Sequence, residues 1–157
     1  MIRIYTDGSC LDQGNRYSFK NSSGLSGGWG FVAFDGDKEL CRYSGTEFGT
    51  DVTNNRMEIL AIISALRWAY KHDKNKEVSI ITDSMYCKSC INDYMEGWKE
   101  AGWRKKRGAI ANLDLWKIID KAKGHVDFTV KWVKGHNEDI GNEIADHLAT
   151  NAAKCKA

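Results

Sequence analysis

Four carboxylates and one histidine carry the chemical signal in this 157-residue sequence. Asp7 ends the alternating run Ile2-Arg3-Ile4-Tyr5-Thr6, and Asp83 directly follows the short apolar run at 78–82. The two acids therefore stand at equivalent places, at the ends of two strands, where open α/β sheets bind ligands. Glu58 closes the polar stretch Thr53-Asn54-Asn55-Arg56-Met57-Glu58 at the start of a helical pattern. Asp146 lies in Gly141-Asn142-Glu143-Ile144-Ala145-Asp146, ten residues after His136. Each has an ordinary explanation when taken alone: either aspartate can start a turn, Asp83 can cap a helix, Asn55-x-x-Glu58 fits a capping box, and a loop histidine is usually a surface residue. Brought into one crevice, however, four carboxylates repel unless a cation holds them. Hard divalent cations such as Mg2+ take oxygen ligands and leave room for water and substrate phosphate. A pair of such ions roughly 3.5–4 Å apart can activate a water and stabilise the leaving oxygen of an in-line displacement at phosphorus.

The elements that must position these groups follow from short-range patterning. Residues 2–6 alternate as a strand, and 30–34 and 39–44 read as two more, joined by the turn chemistry of Asp35-Gly36-Asp37. The Gly-, Ser- and Asn-rich stretch 11–28 between them reads as a long surface loop. Ile59, Ile62, Ile63, Leu66 and Ala69 recur at helical spacing within 55–70, and 78–82 reads as a strand buried on both faces. A helix begins near Ser84, and another, capped by Asn112, carries Leu115, Ile118, Ile119 and Ala122. Phe128, Val130 and Trp132 alternate as a fifth strand, and a last helix spans 140–153. The order βββαβαβα predicts an α/β fold with a mixed five-stranded sheet flanked by helices.

Composition narrows the class. A 17.7 kDa chain with 42% hydrophobic and 28% charged residues and a mean hydropathy of -0.50 suits one globular domain over 1–157. No apolar run reaches the ~20 residues of a membrane helix, and the N-terminus carries no secretory pattern, so a cytoplasmic protein is expected. The odd set Cys10, Cys41, Cys87, Cys90 and Cys155 argues against a disulfide framework. Cys87-Lys88-Ser89-Cys90 spells a C-x-x-C that reads as a redox motif, half a zinc site or chance adjacency on a helix. Arg104-Lys105-Lys106-Arg107 places four consecutive cations beside Trp98, Lys99 and Trp103, although the net charge is only +2. Thr53, Asn54, Asn55 and Arg56, at a helix start, could also serve a nucleic-acid backbone.

Thr6-Asp7-Gly8-Ser9-Cys10, the stretch Thr53 to Glu58, Thr82-Asp83-Ser84, and Gly135-His136 followed by Gly141-Asn142-Glu143-x-Ala145-Asp146 resemble type 1 ribonuclease H, in order and across essentially the whole chain. The resemblance implies the ribonuclease H-like fold and hydrolysis of the RNA strand of RNA-DNA hybrids, leaving 3'-hydroxyl and 5'-phosphate ends. It also implies two Mg2+ ions, with Mn2+ as substitute, held by Asp7, Glu58, Asp83 and Asp146, and a His136 that orients water or moves product out. Asn54 and Asn55 resemble residues that contact the RNA strand, with Cys10 in the turn at its sugar edge. Thr53 and Asn112 match positions that hold a DNA-strand phosphate. Tyr94, Trp98, Lys99, Trp103, Arg104 and Lys105 resemble a basic protrusion that grips the DNA strand.

Three departures qualify the likeness. The stretch 11–28 is longer than the short Gly- and Pro-rich loop common in the family and contains no proline. Asp51 stands where a basic residue commonly joins the DNA-phosphate pocket. The chain starts at the first strand, so no separate N-terminal hybrid-binding domain is expected. The resemblance implies a hybrid duplex as partner, and no membrane, no obligate protein partner and a monomeric state are expected. The rival readings are a strand-transfer or DNA-cutting nuclease on the same fold, a non-catalytic hybrid-binding module, and a redox role for Cys87 and Cys90.

Overall fold

Ile2, Ile4 and Thr6 on one face of strand β1 (Ile2–Leu11) and Tyr5 and Asp7 on the other are all buried, so this strand must be covered on both sides. In the computed structural model, which describes residues 1–11, 25–135 and 139–155, β1 is accordingly the middle of a five-stranded sheet. It pairs antiparallel with β2 (Ser26–Asp35), which pairs antiparallel with β3 (Lys38–Phe48). On its other side it runs parallel to β4 (Val78–Thr82), itself parallel to β5 (Phe128–Trp132), giving the order β3-β2-β1-β4-β5. Helix α1 (Asn54–Asp73) buries Ile59, Ile62, Ile63, Leu66 and Ala69 in the cluster that contains Ile2, Ile4, Phe31 and Ile80. The opposite face, with Tyr5, Val32 and Ile81, is covered by Ala145 of the last helix.

The crossover from β4 to β5 is a chain of short helical segments. Helix α2 (Met85–Ser89) passes into a π-helical turn, Cys90–Tyr94, and then into α3 (Met95–Glu100), while α4 (Leu113–Ala122) returns the chain to β5. Helix α5 (Ile140–Ala153) has the bounds expected from the sequence. Ser84 caps α2 by accepting the Cys87 N–H at 3.1 Å.

Three local expectations need correction. The strands β1, β2 and β3 are longer than the alternating patterns, so Leu11 and Gly27–Gly28, read from sequence as loop, are strand residues. Ser26 belongs to β2 as well, Leu25 just before it is buried, and residues 12–24 lie outside the described residues. Gly28 is needed for packing and not for a turn: a Cβ there would collide with the backbone of Ala149 and Ala153 in α5. Asn112 does sit at the start of α4, but in the left-handed region at φ 60° with no capping bond from its side chain. Its carboxamide instead donates to the Tyr86 hydroxyl at 3.0 Å.

The C-x-x-C pair is buried on helical turns with both thiols free. Burial pushes the Cys90 thiol up to about 11 and the Cys87 thiol also upward, which leaves neither as a thiolate at neutral pH. Chance adjacency on a helix is the reading this supports.

Candidate active site

The parallel register that sets Thr6 beside Thr82 brings the next residues, Asp7 and Asp83, out at the same end of the sheet. Glu58 arrives from the first turns of α1, and Asp7, Glu58 and Asp83 each offer an oxygen within 4.8 Å of the others. Asp146, on α5, is outside that triplet but lines the same crevice of about 430 Å³, together with Gly8, Ser9, Asn54, Asn55, Ser84 and Tyr86. Asp7 and Glu58 are only 5% and 7% exposed, whereas Asp83 and Asp146 are half-buried.

Gly8 explains how Glu58 gets there. A Cβ at this position would strike the Met57 and Glu58 backbone, so only glycine lets α1 seat directly on β1. The Gly8 N–H then donates to the Glu58 carboxylate. The capping-box reading of Glu58 is thereby replaced, because the cap of α1 is Thr53, whose hydroxyl oxygen accepts the Arg56 N–H at 3.1 Å. Asp83 is likewise free of capping, since Ser84 performs it. Its backbone carbonyl accepts the Trp132 indole N–H at 3.1 Å, and Gly135 lies close against its carboxylate.

Among the described residues no ion pair reaches any of the four acids. Burial, then the hydrogen bond and charge of Glu58, then the charge of Asp83 push the Asp7 carboxyl far above the ordinary range, and Asp146 adds to the push. Burial also raises Glu58, opposed by its hydrogen bond with Asp7 and by the Gly8 N–H. Without a cation the pair retains a proton that isolated carboxylates have lost. An all-oxygen, negatively charged, uncompensated donor set fits a hard divalent cation.

This has a measurable consequence for stability. Both folded-state values lie above the unfolded ones, so the contribution is fully present below about pH 4 and is lost as pH rises through the raised values. A divalent cation removes that loss by occupying the carboxylates. The gain in thermal midpoint on replacing EDTA with Mg2+ should therefore be small at pH 5.5 and several degrees larger at pH 8.5, since each kcal/mol moves a domain of this size by about 2–4 °C. Thermal unfolding at the two pH values checks it, and a pH-independent gain would contradict it.

Of the residues expected to meet nucleic acid, Asn54 and Asn55 line the crevice, and Trp98 and Lys105 line a separate groove. Cys10 lies within β1, not in a turn, and its backbone N–H donates to the Asn54 side-chain oxygen at 2.8 Å. Asn55 lines the crevice beside Asn54. Trp98 stacks on the half-exposed Tyr94 with ring centroids 6.0 Å apart, and both border a groove of about 290 Å³ with Tyr86 and Lys105. Trp103 is held at φ 64°, is partly buried against the core and carries the Lys117 ammonium 6.0 Å from its ring. Lys99 is paired with Asp120 at 3.2 Å, whereas Arg104 and Lys105 are exposed. His136 lies outside the described residues.

Sequence reasoning missed two features. Gly8 was signalled only by its place next to Asp7. Arg56, read as a possible backbone contact, is instead bound bidentately to Asp114, at 3.1 and 2.7 Å, and nothing in the local pattern marks that pairing.

Comparison with known proteins bears on this geometry. The sequence model of the family described as RNase H matches residues 1–154. The chain is 40% identical over 154 residues to the Ribonuclease H of Hahella chejuensis, covering 98% of this chain and 93% of that protein. It is also 40% identical over 156 residues to the Ribonuclease HI of Caulobacter vibrioides, again with 98% and 93% covered. Among solved structures, LC9-RNase H1, described as a type 1 RNase H with the type 2 active-site motif, superposes with a TM-score of 0.76 at 32% identity, covering 97% of this chain and 71% of that one. The solution structure of the PFV RNase H domain gives 0.76 at 28% identity, covering 97% and 93%.

Proposed function

The chain belongs to the ribonuclease H family as a type 1 enzyme, and from that premise we propose that it is an endonuclease that hydrolyses the RNA strand of RNA-DNA hybrids. The observation that carries the reading is the convergence of Asp7, Glu58 and Asp83 within 4.8 Å at one end of the parallel strands, with Asp146 on the same crevice. These four acids would hold two Mg2+ ions, or Mn2+ in their place, which supply water activation and charge stabilisation at the leaving oxygen, giving 3'-hydroxyl and 5'-phosphate ends.

The chain's own residues bind and orient. Because the Asn54 side-chain oxygen is taken by the Cys10 N–H, its amino group is left to donate toward the sugar edge of the RNA strand, with Asn55 beside it. Contacts of that kind read the 2'-hydroxyl and duplex shape and not base sequence. Thr53 and Asn112 take a phosphate of the DNA strand, and Tyr94, Trp98, Arg104 and Lys105 offer stacking and charge to the same strand. His136 orients the attacking water or assists product departure.

The test is incubation with labelled RNA-DNA hybrid, double-stranded RNA and double-stranded DNA, each with Mg2+ and with EDTA. Metal-dependent cutting of the RNA strand of the hybrid alone is expected. Cutting of DNA would indicate a different nuclease on this fold, and tight hybrid binding without cutting would indicate a binding module.

A further inference from the structure

Thr53 and Asn112, the two residues assigned above to one DNA phosphate, belong to different elements, and something must set the distance between them. Thr53 caps α1, and its hydroxyl oxygen accepts the backbone N–H of Arg56. The side chain of Arg56 then crosses 58 positions of sequence to Asp114, in the first turn of α4 and two residues from Asn112. We propose that the Arg56–Asp114 pair is a strut that fixes the spacing of the two jaws of the DNA-phosphate clamp, and so positions the hybrid without touching it. The proposal rests on the hybrid-nuclease reading.

Three observations support it. Both terminal nitrogens of Arg56 are engaged by Asp114, and its Nε faces Asp51 at 3.9 Å, so the guanidinium is surrounded by carboxylates and is poorly placed to receive a phosphate. A bidentate guanidinium–carboxylate pair fixes direction as well as distance, unlike a point contact from lysine. Asn112 is also tethered by its bond to the Tyr86 hydroxyl and sits in the left-handed region, a conformation asparagine tolerates better than most residues. Asp114 is 62% exposed on its side chain, and ion pairs of that exposure add little to stability, so the pair's contribution is to geometry.

The strut makes a prediction that direct contact does not. If Arg56 gripped phosphate itself, Asp114→Asn would free it and tighten hybrid binding. If the pair is a strut, Arg56→Gln and Asp114→Asn weaken binding alike. The experiment measures Kd, KM and kcat on one labelled hybrid, together with thermal midpoints, for both single variants, Arg56→Lys, and the swap Arg56→Asp with Asp114→Arg. Each single variant is expected to raise Kd and KM about tenfold with kcat within about threefold, a split that marks lost uniform binding. The swap should recover much of the loss, and Arg56→Lys less.

A second arm places one uncharged methylphosphonate at successive DNA linkages. At one linkage the wild type should lose affinity, and there the single variants should lose little more. Tighter binding by Asp114→Asn, unchanged KM in both single variants, or a kcat that falls in step with the thermal midpoint would overturn the strut. Should the wild type bind hybrid without cutting it, the nuclease reading fails while Kd still decides the strut.

Discussion

Asp7→Asn should reduce hydrolysis of the hybrid by roughly 10³-fold or more, because loss of several kcal/mol of charge stabilisation at the reacting phosphate has that effect on rate. The substitution keeps the shape of the side chain while removing a carboxyl whose ionisation its 5% exposure makes costly. Without divalent cation, the variant should therefore fold at least as stably as the wild type above neutral pH, where the raised Asp7 and Glu58 carboxyls otherwise weaken the fold. Asp83→Asn, at the end of β4, should lose activity similarly while retaining hybrid binding. Turnover in Mg2+, paired with circular dichroism and thermal unfolding with and without metal, checks both. Near-normal turnover by either variant would remove that residue from the reacting centre.

Arg104→Ala, Lys105→Ala and Lys106→Ala together should weaken hybrid binding far more than they slow chemistry. The segment 98–107 holds five cations against one acid, a local excess of four in a chain whose net charge is +2. Among the described residues, the ion pairs include Lys99 with Asp120 but none of these three, which leaves their charges available to phosphate. Each phosphate neutralised contributes about 0.7–0.9 to the slope of log affinity against log salt, values for single strands and B-form DNA, so three contacts correspond to a slope flatter by roughly 2 to 3. KM should rise tenfold or more at low salt with kcat little changed, since the contacts are made equally in ground and transition states. A salt titration of Kd and KM for wild type and triple variant gives the answer; identical slopes would make the run a solvated face.

Much of the fold was legible because it is written in short-range patterns. The alternation before Asp7 and the apolar run before Asp83 located two strand ends, and the helical recurrence from Ile59 to Ala69 located α1, since pleat and helix periods act over a few residues. The sequence by itself thus determined the order of elements, the carboxylates at the strand ends and the basic segment. Tertiary structure decided whatever depends on close approach between distant segments. Gly27 and Gly28 read as loop because glycine has poor strand propensity, yet they are strand residues whose missing side chains let α5 and the core approach. Asn55-x-x-Glu58 looked like a local cap, but Thr53 caps the helix and Glu58 turns to Gly8, 50 residues away, because α1 seats on that glycine. Arg56 and Asp114 give no sign of each other in sequence; packing of α4 beside α1 brings their charges together. The raised carboxyls of Asp7 and Glu58 arise the same way, since desolvation and like charge exist only once the chain is folded around them.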